Sequence, residues 1–186
     1  ANSVMKKCMD DGGDDASCAP GAIRQANGVV AAHELSVHYG EAKNYTIREE
    51  LLDGRTHWVV PTVMMVQGVH RGSHGPILHL ADELGRFPGI WDGIPIVINH
   101  PAEDGQNVSA NQPHILDEYL VGRVFNTMMD GRKLRAEAWL DPEALKRVSP
   151  EAMEHIRAGK PLDVSVGVFT DEDMQSGEHE GEHYEA

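Results

Sequence analysis

The chain has 186 residues, the length of one domain or of one domain with a tail. With 40% hydrophobic and 25% charged residues it has the composition of a soluble globular protein, and no apolar run approaches the roughly 20 residues of a membrane-spanning helix, which excludes a transmembrane protein. The formal net charge of −14 has the wrong sign for gripping nucleic-acid phosphates and argues against that class of partner.

Residues 1–28, with "MDDGGDDASCAPG" at their centre, show neither a helical nor a strand period and read as a flexible lead-in, which extends to residue 44 as a domain boundary. Cys8 and Cys18 are too few for a disulfide scaffold; they read as free thiols in a reducing compartment. No apolar stretch follows Lys6 and Lys7, so no signal peptide is expected, and the initial Ala suggests processing. An apolar stretch at 29–37 and another at 45–52 precede a β-branched strand over 57–67, within which Pro61 predicts an edge, a bulge or a break. Residues 68–76 read as a Gly-rich turn and 77–87 as a short helix ending near Gly85.

In "WDGIPIVINHP" the alternation of Ile94, Ile96 and Ile98 predicts a strand that Pro101 stops, leaving His100 at its end. A polar loop follows over 102–114. Strands over 119–128 and 133–140 are joined around Asp130-Gly131, a strong hairpin signal. Asp141-Pro142 and Ser149-Pro150 each open a helix, the second stopping at Gly159. In the last strand Leu162, Val164, Val166 and Val168 share one face, and Asp163, Ser165, Gly167 and Phe169 the other. Residues 171–186 hold seven acids and no Lys or Arg, the pattern of a solvated tail. The order is α+β, without βαβ alternation.

Eleven histidines raise the question of a metal, but there is no H-E-x-x-H, and His70, His74 and His79 straddle Gly72, Gly75 and Pro76, which interrupt any helix that would align them. His179 and His183, four apart in the acidic tail, read first as part of a solvated tail, with weak binding of a divalent ion as the alternative, and His33, His38, His57, His114 and His155 lack companions. Ser73 and His74 are adjacent only within a Gly-rich stretch. No G-x-S-x-G elbow is present, which removes an α/β-hydrolase. Ser165 is distinctive as a hydroxyl in a valine-rich strand beside Gly167, with His100 at the end of a different strand. From these residues alone Ser165 reads first as a buried, hydrogen-bonded serine, with a nucleophile as the alternative. Trp58, Trp91 and Trp139 are expected in the core.

The runs "GIWDGIPIVINHP", "VGRVFNTMMDGRKLRAEAWLDPEAL" and "GKPLDVSVGVFTD…GEHEGEHYEA" together resemble the prohead (capsid maturation) serine proteases of tailed phages, which are similar in turn to the herpesvirus assemblin proteases. The resemblance covers about residues 45 to 186. It implies Ser165 in "VSVG" as nucleophile and His100 in "NHP" as general base, on an assemblin-like closed or nearly closed β-barrel flanked by short helices. The barrel domain would occupy 45–170 and an acidic segment 171–186. The family's third triad member is a histidine on a strand after the nucleophile, expected here in a "DHLA"-like segment beyond "HYEA", so the chain reads as truncated before its last core strand; His183, Glu180 and Asp163 are the substitutes within it. Arg123 in "VGR" is a candidate for stabilising the oxyanion. The family implies no cofactor and no metal, scaffold and major capsid proteins as partners, a homo-oligomer, and action inside the procapsid in the host cytoplasm. A catalytically silent structural or scaffold-like capsid component on the same fold is the alternative.

Overall fold

The computed structural model describes residues 36–42, 45–72, 75–160, 162–168 and 173–185. The expectations for residues 1–35, for Ser73 and His74, and for Phe169 lie outside them. Two strands, β1 (Ser36–Ala42) and β2 (Arg48–Leu52), share one edge of the long β3 (Arg55–Val66). β2 covers Arg55 to Val59 and β1 meets β3 at Val63. Pro61 falls between these two neighbours and faces Glu137 on the other side, so β3 runs on unbroken and the proline marks a change of partner where its missing N–H is not needed.

The hairpin read around Asp130-Gly131 is β9 (Leu120–Asp130) and β10 (Lys133–Leu140). With β6 (Pro95–Val97) and β11 (Leu162–Val168) they complete a seven-stranded sheet in the order β11-β1-β3-β10-β9-β6, with β2 on β3. Every pairing is antiparallel. The α+β class therefore holds, but the closed barrel does not: among the described residues β6 and β11 are not hydrogen-bonded to each other. β6 is only three residues long, its ladder ends where Asn99 takes φ 64°, and Pro101 cannot extend it. Residues 36–42 are a second correction, because all seven pair with Leu162–Val168 and so belong to the sheet rather than to a flexible lead-in.

Among the described residues four short α-helices flank the sheet: α1 (Ala81–Leu84), α2 (Pro113–Tyr119), α3 (Pro142–Val148) and α4 (Pro150–Arg157). Asp141 caps α3 by accepting from the Glu143 and Ala144 amides, and Ser149 caps α4 by accepting from Ala152, each cap being worth about 1 kcal/mol. α3 and α4 bury Leu145 and Ile156 against Trp58, Val121 and Leu140, and each such aliphatic side chain contributes about 2 kcal/mol by leaving water. A second cluster joins Met64, Met65, Trp91 and Leu134 to Val166 and Val168. Trp139, expected with the core, lies half-buried outside both clusters; it packs edge-on against Phe125 and donates to Glu137, which satisfies its indole N–H where an apolar core would not.

Three small hairpins lie outside this sheet among the described residues. β4 (Gly68–Gly72) and β5 (Gly75–His79) pair where a turn and the first half of a helix were expected; Ile77 and His79 are buried alternately, a period of two that confines the helix to α1. β7 (Ala102–Glu103) and β8 (Gln106–Asn107) fold back within the polar loop. The acidic tail also forms a hairpin, β12 (Gly177–His179) with β13 (Glu182–Tyr184), turning at Glu180-Gly181 with φ of 51° and 86°. It is tied down by the Glu185 amide donating to the Pro76 carbonyl (2.8 Å) and by the Arg132–Glu180 ion pair (2.8 Å).

Candidate functional site

The two edges of the sheet border one cavity of about 690 Å³. Its floor is a sheet face, since β3 contributes only the alternating Val60, Thr62 and Met64, and β10 only Ala136, Ala138 and Leu140. Its walls are different in kind. Every residue of β6 and every residue of β11 borders the cavity, regardless of side-chain alternation, so each of these strands presents an edge rather than a face. The sheet is therefore curled, with an open seam between β6 and β11.

His100 stands just beyond β6, after the bend at Asn99, and borders this cavity together with Ser165 of β11. His100 is exposed at the mouth, yet the surrounding wall withdraws enough water to pull its imidazole below the ordinary histidine value, desolvation being the cause. Ser165 is half-buried and sits between Val164 and the core residue Val166, in register with Tyr39 of β1. The segment after His100 is anchored locally: the Val108 amide donates to the Pro101 carbonyl (2.9 Å), the Asn111 amide to Ser109 Oγ (3.2 Å), and His114 Nε2 lies 2.5 Å from Glu103 Oε1, joining α2 to the β7–β8 hairpin.

The other residues singled out by sequence separate clearly. Asp163 borders the cavity two residues from Ser165. His183 does not; it lies on β13 in register with Glu178, and Glu180 is held by Arg132. Arg123 is also away from the cavity lining, its guanidinium donating to the Gly93 carbonyl at 2.7 Å. His70 and His79 stack as tilted rings 5.7 Å apart within β4–β5, with His70 Nε2 2.6 Å from the Val66 carbonyl. Among the described residues no three His, Cys, Asp or Glu side chains gather to hold a metal ion.

One bordering group escaped the sequence reading: His155 on α4, half-buried, with Glu151 one turn earlier on the same side. Ala152, His155 and Ile156 follow the i, i+3, i+4 spacing of one helix face, and Ile156 is buried. That spacing was the available signal. Around a largely apolar floor the cavity lining thus includes the hydroxyls of Thr62, Ser109, Ser149 and Ser165, the imidazoles of His100 and His155 and the carboxylates of Glu151 and Asp163, residue types that serve in proton transfer and nucleophilic chemistry. No helix among the described residues is long and apolar enough to cross a membrane. In comparisons with family models, curated proteins and solved structures, nothing matches the chain significantly.

Proposed function

We propose that the chain is a serine endopeptidase of the prohead maturation type, acting on scaffold and major capsid proteins, on an assemblin-like fold whose barrel is open along one seam. The observation that carries this reading is that His100, three residues past the end of β6, and Ser165, within β11, border one cavity between two sheet edges. The antiparallel curled sheet and short flanking helices are consistent with it. An imidazole that favours its neutral form is the state a general base requires.

In the proposed reaction His100 takes the proton of the Ser165 hydroxyl while Oγ bonds to the carbonyl carbon of the substrate peptide. The tetrahedral intermediate collapses with cleavage of the C–N bond, and the imidazolium returns its proton to the leaving amine. Water then attacks the acyl-enzyme, again losing a proton to His100, and the new acid departs as Ser165 regains its hydrogen. Asp163 and His155 are the bordering groups available to steady the imidazolium.

Intact-mass detection of fluorophosphonate labelling tests the proposal. A single adduct is expected on the parent chain, absent in Ser165→Ala and formed about 100-fold or more slowly in His100→Ala. A folded parent chain that takes no adduct would instead be a silent structural component on this fold.

A further inference from the structure

A cavity walled by two strand edges offers a guest something that a cavity walled by side chains does not, namely rows of backbone N–H and C=O groups. β11 uses one of its edges on β1 and borders the cavity along its length, with Val166 and Val168 buried and Leu162–Ser165 the continuous stretch that is half-buried or exposed. At about 3.3 Å per residue that stretch runs about 13 Å, enough to pair with a short extended segment. Val60, Met64, Ile96 and Leu140 make the space between the walls apolar. Among the described residues the charge of the lining is one-sided: it contains Glu151 and Asp163 but no Lys or Arg. Among the described residues neither carboxylate is held in an ion pair.

We infer that the seam between β6 and β11 binds an extended polypeptide segment as an added strand, with apolar side chains filling the cavity and a Lys or Arg side chain set against Glu151 and Asp163. This names the substrate class of the protease proposed above and rests on that reading for the segment being cut at Ser165. Main-chain pairing supplies affinity without regard to sequence, whereas the apolar floor and the two carboxylates supply selectivity. An acidic side chain at the same position is disfavoured by both carboxylates and by the net charge of −14.

The test uses the full chain carrying Ser165→Ala, so that binding is read without turnover, after thermal unfolding has shown that it is as stable as the parent. Three fluorescein-labelled heptapeptides, Thr-Leu-Thr-Xaa-Thr-Leu-Thr with Lys, norleucine or Glu at the centre, are titrated by anisotropy at low salt. The Lys peptide is expected to bind about tenfold more tightly than the Glu peptide, with norleucine between them. The preference should fall below about threefold when Glu151→Gln and Asp163→Asn are combined, or in about 0.5 M NaCl. Methylating alternate backbone amides of the Lys peptide should remove binding if those amides pair with a strand edge. Equal affinities, a preference for Glu, indifference to both methylation registers, or no saturable binding by any peptide overturns the inference; the last includes a seam already filled by a second copy. The two readings fail separately: selective binding without fluorophosphonate labelling of the parent removes catalysis and leaves strand docking, while labelling without selective binding does the reverse.

Discussion

An imidazole at the rim of an apolar cavity holds its proton less tightly than one in water, and His100 is in that position. The sign is favourable to a base, because the neutral form is present before neutrality is reached. The rate of fluorophosphonate labelling is therefore expected to rise with pH through a midpoint below about 6.5, the ordinary histidine value, and to be flat above pH 7. A midpoint above 6.5 would assign the titration to another group. The same shift has a stability consequence: the unfolded chain binds this proton more tightly, so the contribution is intact above about pH 6.5 and is lost as pH falls through the lower folded value.

Glu137 shows how one side chain can join three strands. Its carboxylate accepts from Asn126 of β9 (2.6 Å), Arg48 of β2 (2.8 Å) and Trp139 of its own strand β10 (3.1 Å). Desolvation alone raises its pKa, but these hydrogen bonds and the Arg48 charge together outweigh it and leave the group below the usual glutamate value. Stability from Glu137 is thus present above the unfolded value of about 4.3 and is lost as pH falls through the folded one. Glu137→Gln is expected to cost about 1–2 kcal/mol at pH 7 by urea unfolding and to flatten the acid limb of the stability profile. An unchanged acid limb would show that the carboxylate is not what titrates there. Asn126 reaches Glu137 because it takes φ 53° beside a register shift between β9 and β10, a bulge that the smooth run of residues 119–128 does not disclose.

What could be read in advance follows the same division between local and remote causes. The β9–β10 hairpin and the caps at Asp141 and Ser149 were legible because turn and cap chemistry is contained within a few residues. Ser165 lies within the strand read over residues 162–169, whereas His100, read as a strand end, lies three residues past β6 because the ladder stops at Val97 and the chain bends at Asn99. β4–β5 was not legible, since Ile77 and His79 fit a short helix until Gly68–Gly72 is placed beside them. The closing hairpin was hidden by its acidity, although Glu180-Gly181 carries a turn signal. His155 acquired meaning only when α4 was laid along the cavity.

Across the whole molecule the charge of −14 acts against compactness, and exposed ion pairs such as Arg48–Glu50 and Arg132–Glu180 return little of that. Raising NaCl from about 20 to 300 mM shortens the screening distance to less than about 8 Å. We expect the midpoint of thermal unfolding to rise by about 2–4 °C, the response of a chain this size to about 1 kcal/mol. A fall in the midpoint would show that attractive pairs outweigh the repulsion.

The facing edges of β6 and β11 also impose an arithmetic on anything that lies along them. Successive residues of an extended chain turn to opposite sides, so a guest sliding by two positions presents an equivalent pattern to the apolar floor, while one sliding by a single position turns every side chain over. Recognition at such a seam has parity. For the peptidase proposed above, one residue inserted between the docked segment and the scissile bond would turn every side chain beyond it to the opposite face, whereas two would restore the original facing.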